Sequence, residues 1–214
     1  MPKVLITAGP TMERIDSVRS IINHSTGELG REIAHAFNGL GCDIIYIRGK
    51  GAIAPDLPNI TEIVITDTAS LQTAIADVFA HYKIDIIIHA MAVSDYRPKH
   101  VESGKISSQA EELVLVLEKT PKVIGMFRGL AQDAILVGFK LVTGLTQVAM
   151  LGKAYALLTK NSCDMVLANQ SDKLGAKHKG WLVKPDKTYS EYSGKTGIAQ
   201  GIAKEVWEKW EKLI

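Results

Sequence analysis

The chain has 214 residues, of which 46% are hydrophobic and 22% are charged, and its formal net charge at pH 7 is +2. This composition is typical of a globular protein, and so small a charge argues against a nucleic-acid or membrane surface. Its two cysteines, Cys42 and Cys163, are far apart in the sequence, which disfavours a disulfide framework or a zinc site. Because the sequence also lacks a secretory signal and an apolar run long enough to span a membrane, we expect a cytoplasmic protein.

Short apolar runs alternate with longer amphipathic segments along the chain. The apolar runs predict strands at residues 4–6, 43–47, 62–65, 84–89, 134–139 and 165–168. Helical spacing predicts helices at residues 29–40 (ended by Gly41), 68–82 (capped by Thr68), 146–160 and 194–214. The alternation predicts an α/β fold: a three-layer, doubly wound, mainly parallel Rossmann-like sheet with ligands at the carboxyl ends of its strands.

Two segments depart from this alternation. Residues 97–117 contain the apolar run LVLVL, predicted to be a strand, and residues 169–192 contain WLV and TYSEY. We interpret both segments as a small antiparallel appendage of a single domain that spans residues 1–214. Because exposed edge strands often pair with a second subunit, the appendage suggests a homodimer.

The loop after the first strand has the composition of a phosphate-binding turn. Ser25, Thr26 and Gly27 precede the first helix, where free backbone N–H groups and the helix dipole favour an anion. An equally good interpretation is that Ser25 or Thr26 only caps the helix. The loop contains neither the G-x-G-x-x-G dinucleotide fingerprint nor the Gly-Lys-Ser/Thr of a P-loop.

Three further residues follow strands or lie in loops where a nucleotide would fit. Asp95 follows the fourth strand and could meet a magnesium–triphosphate complex, although on its own an Asp-centred turn is the commoner case. Lys105 lies in a loop from which it could reach a phosphate, but most loop lysines only solvate the surface. Phe139 could stack on a nucleobase, although a buried phenylalanine is the commoner case.

Taken together, these segments resemble phosphopantothenoylcysteine synthetase (phosphopantothenate–cysteine ligase) in its monofunctional bacterial form. The matching pieces follow the order of the family: GPT-x-E-x-ID-x-VR-x-I-x-NHS-x-G-x-x-G at residues 9–30, A-x-A-V-x-DYR at 90–97, Lys105, and residues 119–121, 138–140 and 164–169. The resemblance implies a ligase that couples 4′-phosphopantothenate to L-cysteine in coenzyme A biosynthesis. The reaction would pass through an acyl-nucleotidylate, convert CTP to CMP and pyrophosphate, and use Mg²⁺.

The resemblance, together with the loop chemistry, also implies roles for individual residues. The implied catalytic residues are Asn23, Lys105 and Asp95, and Asp95 is also a possible metal ligand together with the nucleotide phosphates. The implied substrate-binding residues are Arg19, which would reach the substrate phosphate across a dimer interface, and Asn23, Ala90, Met91 and Asp95. The implied nucleotide-binding residues are Ser25, Thr26, Gly27, Gly30, His89, Ala90, Asp95, Lys105, Thr120, Pro121, Lys122, Val123, Phe139 and Lys160.

The sequence departs from the family at several lysines. The family often carries a K-x-K-K run, but here Ser107 and Ser108 follow Lys105 and Ile106. A lysine expected one turn before Lys160 is also missing, which leaves the choice between CTP and ATP open. Two alternatives remain: a non-catalytic nucleotide sensor, and a short-chain-type NAD(P) oxidoreductase. The latter is disfavoured because no glycine fingerprint and no well-placed Tyr-x-x-x-Lys are present.

Overall fold

The computed structural model describes residues 1–170 and 178–213. In chain order its strands are β1 (Lys3–Ala8), β2 (Met12–Arg14), β3 (Ser20–Ile22), β4 (Asp43–Gly49), β5 (Thr61–Ile65), β6 (Ile86–His89), β7 (Tyr96–Pro98), β8 (Leu117–Lys119), β9 (Ile135–Val142), β10 (Met165–Gln170), β11 (Lys179–Val183) and β12 (Tyr189–Ser193). Its α-helices are α1 (Glu28–Gly39), α2 (Thr68–His81), α3 (Phe127–Leu130), α4 (Gln147–Asn161) and α5 (Lys195–Trp210), and a 3₁₀ turn spans Val123–Met126.

An eight-stranded sheet forms the centre of the fold, in the order β12-β11-β10-β9-β6-β1-β4-β5. The strands from β10 to β5 are parallel, which confirms the predicted fold class. From β1 the chain passes through α1 outward to β4, and after α2 it returns to β6 on the other side of β1. This reversal places the topological switch point between β1 and β6, where ligands bind in open α/β sheets.

Helices cover both faces of the sheet and bury an apolar cluster on each. On one face α1 packs on β1 and β4, and α5 packs beside it on β11 and β12. Ile33, Phe37 and Ile198 are fully buried in the cluster on this face, together with strand residues such as Val4 and Ile6. On the other face α2, α3 and α4 bury a second cluster that includes Leu71, Phe127, Met150 and Leu136. Burial of both faces explains why the central strands are continuous apolar runs in the sequence.

The antiparallel appendage that the sequence suggested is only partly correct. β11 and β12, which hold the WLV and TYSEY segments, continue the main sheet antiparallel to β10 and do not form a separate unit. Residues 171–177 of that prediction lie outside the described residues. Small two-stranded sheets do occur elsewhere, where β7 pairs with β8 and β2 pairs with β3, and the second of these was not predicted.

The predicted LVLVL strand is mostly wrong. Only its last residue, Leu117, lies in a strand, because the partner strand β7 is three residues long and ends at Pro98. One further backbone bond follows, from the Lys99 N–H to the Val116 carbonyl at 2.9 Å. The preceding side chains of the run, from Leu113 to Val116, are between 37% and 80% exposed. The run is therefore an apolar surface segment.

Two helix ends refine the predictions from sequence. α2 is capped by Asp67 and not by Thr68. The two ends of a capping box are present: the Asp67 carboxylate accepts from the Ser70 N–H, and the Ser70 hydroxyl accepts from the Asp67 N–H. Gly41 follows α1 with φ = 77°, the left-handed conformation expected of a helix-ending glycine. Among the described helices, none combines the length and apolar character required to traverse a bilayer.

Candidate functional site

Two loops run side by side at the carboxyl edge of the sheet, one after β1 and one after β6. The backbone N–H of Ala92 donates to the Gly9 carbonyl at 2.8 Å, and the N–H of Thr11 donates back to the Ala92 carbonyl at 3.3 Å. The N–H of Ser94 donates to the Thr11 hydroxyl at 2.9 Å. These bonds hold the two loops in register at the switch point, where the sequence predicted a ligand.

Glycines allow the loop after β1 to pack closely. Gly9 has φ = 77°, and a Cβ there would lie 2.4 Å from the Cβ of Ala52 in the loop after β4. A Cβ on Gly30 would lie 2.3 Å from the Cβ of Ala8, so a larger residue at this position would push α1 away from β1. Packing alone therefore accounts for Gly30, without a contact to nucleotide.

The N-cap residue of α1 is Gly27, in the left-handed conformation with φ = 76°, so neither Ser25 nor Thr26 occupies the N-cap position. The Thr26 hydroxyl does accept from the Glu28 N–H, at 3.3 Å. Ser25, Thr26 and Gly27 lie beside Gly9 and Ala52, outside the cavity described next.

A cavity of about 200 Å³ opens beside the end of β6. It gathers nine of the residues that the sequence singled out: His89, Met91, Asp95, Thr120, Pro121, Lys122, Val123, Phe139 and Lys160. The sequence missed five other lining residues, namely Val93, Ser94, Ile124, Leu157 and Asn161. Their one signal was position, because they are neighbours of the singled-out residues in the chain or lie one helical turn away.

The polar side of this cavity is an ion pair. The Lys122 ammonium contacts the Asp95 carboxylate, and the two side chains are 67% and 68% exposed. The Thr120 N–H donates to the Asp95 carbonyl at 3.1 Å, and the Thr120 hydroxyl donates to the Ser94 carbonyl. The segment around Thr120 is thus fixed to the loop after β6, with one anionic and one cationic group facing solvent at the mouth.

His89 forms the inner wall and is buried. Its Nδ1 lies 2.7 Å from the Thr7 hydroxyl, and its ring meets the Phe127 ring edge-on with 5.2 Å between centroids. Burial lowers the pKa of His89 to about 4, so the imidazole is neutral at pH 7. A neutral imidazole can hydrogen-bond a ligand without adding charge to the site.

Phe139 borders the cavity from β9. Its side chain also packs against the apolar cluster on the α1 and α5 face, so it is partly a core residue, as the commoner interpretation anticipated. Lys160 lies in the last turn of α4 and is exposed. Ala90 is fixed by its N–H, which donates to the Thr7 carbonyl at 3.0 Å.

Asn23 lies next to the loop after β6. Its carboxamide nitrogen is 3.3 Å from the Val93 carbonyl and 3.5 Å from the Ala92 carbonyl, which are long hydrogen bonds. The side chain is exposed. An amide held this weakly can turn toward a ligand in the crevice without losing strong bonds.

Arg19 and Lys105 lie on a different side of the loop after β1. Arg19 donates from a terminal guanidinium nitrogen to the Ile106 carbonyl at 2.7 Å. Lys105 is exposed and borders a second depression of about 470 Å³, whose walls include Ile15 and Leu113–Val116. The structure therefore brings Lys105 close to the Arg19 loop and does not place it among the residues that line the cavity of Asp95.

Asp95 is the candidate metal ligand, and the residues around it suit a metal that arrives with its ligand. Within residues 1–170 and 178–213, no group of three or more His, Cys, Asp or Glu side chains could hold an ion. Magnesium in nucleotide sites is commonly held by one or two carboxylates together with phosphates. A single exposed carboxylate at the mouth of the cavity fits that arrangement.

Comparison with known proteins gives a family match over residues 1–209, to the family described as DNA/pantothenate metabolism flavoprotein C-terminal domain. The coenzyme A biosynthesis bifunctional protein CoaBC of Thermococcus kodakarensis is 31% identical over 212 residues, which are 99% of this chain and 51% of the relative. The protein of the same name from Methanocaldococcus jannaschii is 35% identical over 171 residues, 80% of this chain and 41% of the relative. The chain thus spans about half the length of these curated relatives.

Two solved structures share the fold over nearly the whole chain. The DNA/pantothenate metabolism flavoprotein from Streptococcus pneumoniae has a TM-score of 0.89 and 32% identity, and the match covers 98% of this chain and 100% of the other. The C-terminal domain of a coenzyme A biosynthesis bifunctional protein CoaBC has a TM-score of 0.80 and 27% identity, covering 99% and 96%.

Proposed function

This chain belongs to the family of the DNA/pantothenate metabolism flavoprotein C-terminal domain, and from that membership we propose that it is a phosphopantothenate–cysteine ligase of coenzyme A biosynthesis. The observation that carries the proposal is the cavity beside the end of β6, which gathers nine of the predicted residues from four separate segments of the chain. Relatives named coenzyme A biosynthesis bifunctional protein support the pathway.

In the first half of the reaction, a carboxylate oxygen of 4′-phosphopantothenate attacks the α-phosphorus of a nucleoside triphosphate. The bond between that phosphorus and the bridging oxygen breaks, which releases pyrophosphate and leaves an acyl-nucleotidylate. Negative charge accumulates on the phosphate oxygens, so the protein contributes mainly positioning and charge stabilisation. Lys122 and Lys160 at the cavity are suited to this task, and Lys105 would join them from its loop.

In the second half, the amine of cysteine attacks the acyl carbon, loses a proton, and displaces the nucleoside monophosphate to form the amide. Asn23 is suited to stabilise the oxyanion of this step, because its amide lies beside the loop after β6 and makes only long hydrogen bonds there. Arg19 is suited to bind the phosphate of 4′-phosphopantothenate, since a guanidinium can donate two parallel hydrogen bonds to phosphate oxygens. Ala90 and Met91 would lie along the acid between these groups.

We propose CTP as the nucleotide and Mg²⁺ as the metal. The cavity, at about 200 Å³, is small, and its apolar wall of Val123, Ile124 and Leu157 suits a flat base. Asp95 would share the ion with the nucleotide phosphates, where the ion would neutralise phosphate charge. The segment of Ser25, Thr26 and Gly27 would contribute backbone N–H groups at the start of α1.

We also propose a homodimer in the cytoplasm. The exposed apolar run from Leu113 to Leu117 has the character of a surface that a second copy of the chain covers. It adjoins the loops of Arg19 and Lys105, so dimerisation would complete the site at that end. Both cysteines are free and buried, as suits a reducing compartment.

The test is pyrophosphate release by the purified protein with Mg²⁺, 4′-phosphopantothenate and either CTP or ATP, with and without cysteine. We expect release that requires the acid and a nucleotide, amide formation that also requires cysteine, and a higher kcat/KM with CTP than with ATP. The Asn23→Ala variant should still release pyrophosphate but form little amide. Absence of release with both nucleotides would overturn the ligase and favour the nucleotide sensor.

A further inference from the structure

Asp16 is a buried carboxylate for which the proposed reaction has no role. Its side chain lies in the turn between β2 and β3, and the residue is 1% exposed. One carboxylate oxygen, Oδ1, accepts from the backbone N–H of Val18 at 2.8 Å and of Arg19 at 2.7 Å. These two bonds close the turn, and an asparagine or serine could supply them equally well.

The second oxygen of Asp16 reaches a different loop. Oδ2 accepts from the backbone N–H of Ile106 at 3.1 Å and lies 3.5 Å from the Arg19 Nε. The Arg19 guanidinium in turn donates to the Ile106 carbonyl at 2.7 Å. Both polar backbone groups of Ile106 are thus held by the Asp16–Arg19 pair.

Backbone bonds flank this contact. The Glu102 N–H donates to the Ile15 carbonyl at 3.1 Å, and the Ser17 N–H donates to the Gly104 carbonyl at 3.4 Å. Lys105 lies between Gly104 and Ile106, so its backbone is fixed on both sides although its side chain is exposed. Among the described residues, the hydrogen bonds that join the loop of Lys105 to another segment all run to the turn that carries Arg19.

The charge of Asp16 is part of this arrangement. Burial alone would raise the pKa of Asp16, but the N–H groups of Val18, Ile106 and Arg19 and the Arg19 guanidinium outweigh it and hold the pKa below its ordinary value. The carboxylate is therefore ionised at neutral pH, and its bonds to both loops are charge-assisted.

We propose that Asp16 is a positioning residue that fixes the spacing between Arg19 and Lys105, so that the two cations meet phosphate groups of the acid and of the nucleotide at the same time. This inference rests on the proposed function for the identity of the two substrates. It predicts that Asp16 acts on catalysis through the loop of Lys105 and not through the stability of the fold.

The first test is Asp16→Asn in the full chain. The carbonyl oxygen of asparagine can keep the bonds to Val18 and Arg19, whereas its amino group cannot accept from the Ile106 N–H. Loss of one charge-assisted hydrogen bond should accelerate hydrogen exchange of the Ile106 amide about tenfold or more. It should also lower kcat about tenfold while the KM for nucleotide changes less than about threefold, the split expected if Lys105 acts in the transition state.

Asp186→Asn is the matched control. Asp186 also accepts hydrogen bonds within a turn, from the Thr188 N–H at 3.0 Å and its hydroxyl at 2.7 Å, but in the hairpin between β11 and β12. This variant should leave both the exchange of Ile106 and kcat unchanged. If Asp16→Asn misfolds, Ile106→Pro removes the same hydrogen bond from the other loop, and it should lower kcat by a similar factor.

The outcomes separate the two proposals. Unchanged Ile106 exchange in Asp16→Asn, or faster exchange with unchanged kcat, overturns the positioning role. The double variant Asp16→Asn/Ile106→Pro should have a kcat close to that of the single variants, because both substitutions remove the same hydrogen bond between Asp16 and Ile106. A kcat far below that of either single variant also overturns the positioning role. If the wild-type protein releases no pyrophosphate with any nucleotide, the proposed function fails, and the exchange of Ile106 alone then decides whether Asp16 holds the loop.

Discussion

The carboxylate of Glu13 lies at the N-terminus of α2, where its Oε1 accepts from the Thr68 N–H at 3.0 Å and from the Thr68 hydroxyl at 2.6 Å. Glu13 is buried, and the adjacent Met12 N–H donates to the Thr66 carbonyl at 2.7 Å. A negative charge at this position also complements the helix dipole. The loop after β1 is therefore anchored on α2 before it turns toward Asp16.

Removal of this anchor should destabilise the protein. We expect Glu13→Ala to lower the free energy of unfolding by about 2–3 kcal/mol, because it leaves the buried N–H of Thr68 without an acceptor. Glu13→Gln keeps the acceptor oxygen and should cost less than about 1 kcal/mol. Urea unfolding measures both values, and equal losses in the two variants would contradict this account.

Gly30→Ala should destabilise the protein although alanine favours helices. The new Cβ would lie 2.3 Å from the Cβ of Ala8, and the resulting overpacking should cost about 1–3 kcal/mol. Gly152→Ala in α4 is the control, because a Cβ there meets nothing within 4 Å. This variant should raise the free energy of unfolding by about 0.5–1 kcal/mol. Thermal unfolding distinguishes the two, and loss of nucleotide binding in Gly30→Ala without loss of stability would favour a ligand contact instead.

The central strands were predictable because their burial leaves a continuous apolar run in the sequence, as in Ile86–Ile88 of β6. The place of β11 in the main sheet was not predictable from the sequence, because it depends on pairing with β10 and not on local composition. The LVLVL run has the composition of a strand but lacks a partner of sufficient length. The family resemblance was confirmed because its motifs span several loops at once.

The candidate site also has a part that the sequence predicts and a part that it does not. His89 ends a buried strand and Asp95 follows it, so their place at the carboxyl edge was predictable from the strand itself. The contact between Asp16 and Ile106 joins positions 90 residues apart, and no local pattern indicates it. The roles assigned to individual site residues remain predictions, which the variants below test.

Tyr46→Phe should leave the fold intact and raise its stability. The Tyr46 hydroxyl is fully buried and has no hydrogen-bond partner among the described residues. Its removal should raise the free energy of unfolding by about 1 kcal/mol, since an unpaired buried hydroxyl is a cost to the folded state. Tyr192→Phe is the matched control: it removes a hydroxyl that donates to Glu205 at 2.6 Å and should lower stability by about 1 kcal/mol. A loss in Tyr46→Phe would indicate a partner for the hydroxyl.

Asp95→Asn should weaken the use of nucleotide. The variant keeps the size of the side chain but removes the charge that pairs with Lys122 and that would share magnesium with phosphates. We expect the KM for CTP to rise about tenfold or more, as for the loss of a charge-assisted contact, with little change in the KM for cysteine. Asp133→Asn, an exposed position just before β9 at the opposite edge of the sheet, should change neither constant. A normal KM for CTP in Asp95→Asn would remove Asp95 from the nucleotide site.

His89 should make the stability of the protein depend on pH between about 6.5 and 4. Burial lowers the pKa of His89 to about 4, whereas an unfolded histidine titrates near pH 6.5, so the unfolded chain binds the proton first as the pH falls. The free energy of unfolding should therefore be unaffected by this residue above pH 6.5 and should fall by about 3 kcal/mol as the pH drops to 4.

Urea unfolding of wild type and His89→Gln at pH 7, 6, 5 and 4.5 isolates this effect, because the other titrating groups are common to both proteins. His178, whose pKa burial also lowers, keeps its contribution in the variant, so only the difference between the two curves reports on His89. Below pH 6, the free energy of unfolding of the wild type should fall by about 1.4 kcal/mol per pH unit relative to that of His89→Gln, which is the slope for one proton. Parallel curves for wild type and His89→Gln would mean that the imidazole takes up its proton in the folded state near pH 6.5, and that the cavity wall is open to solvent.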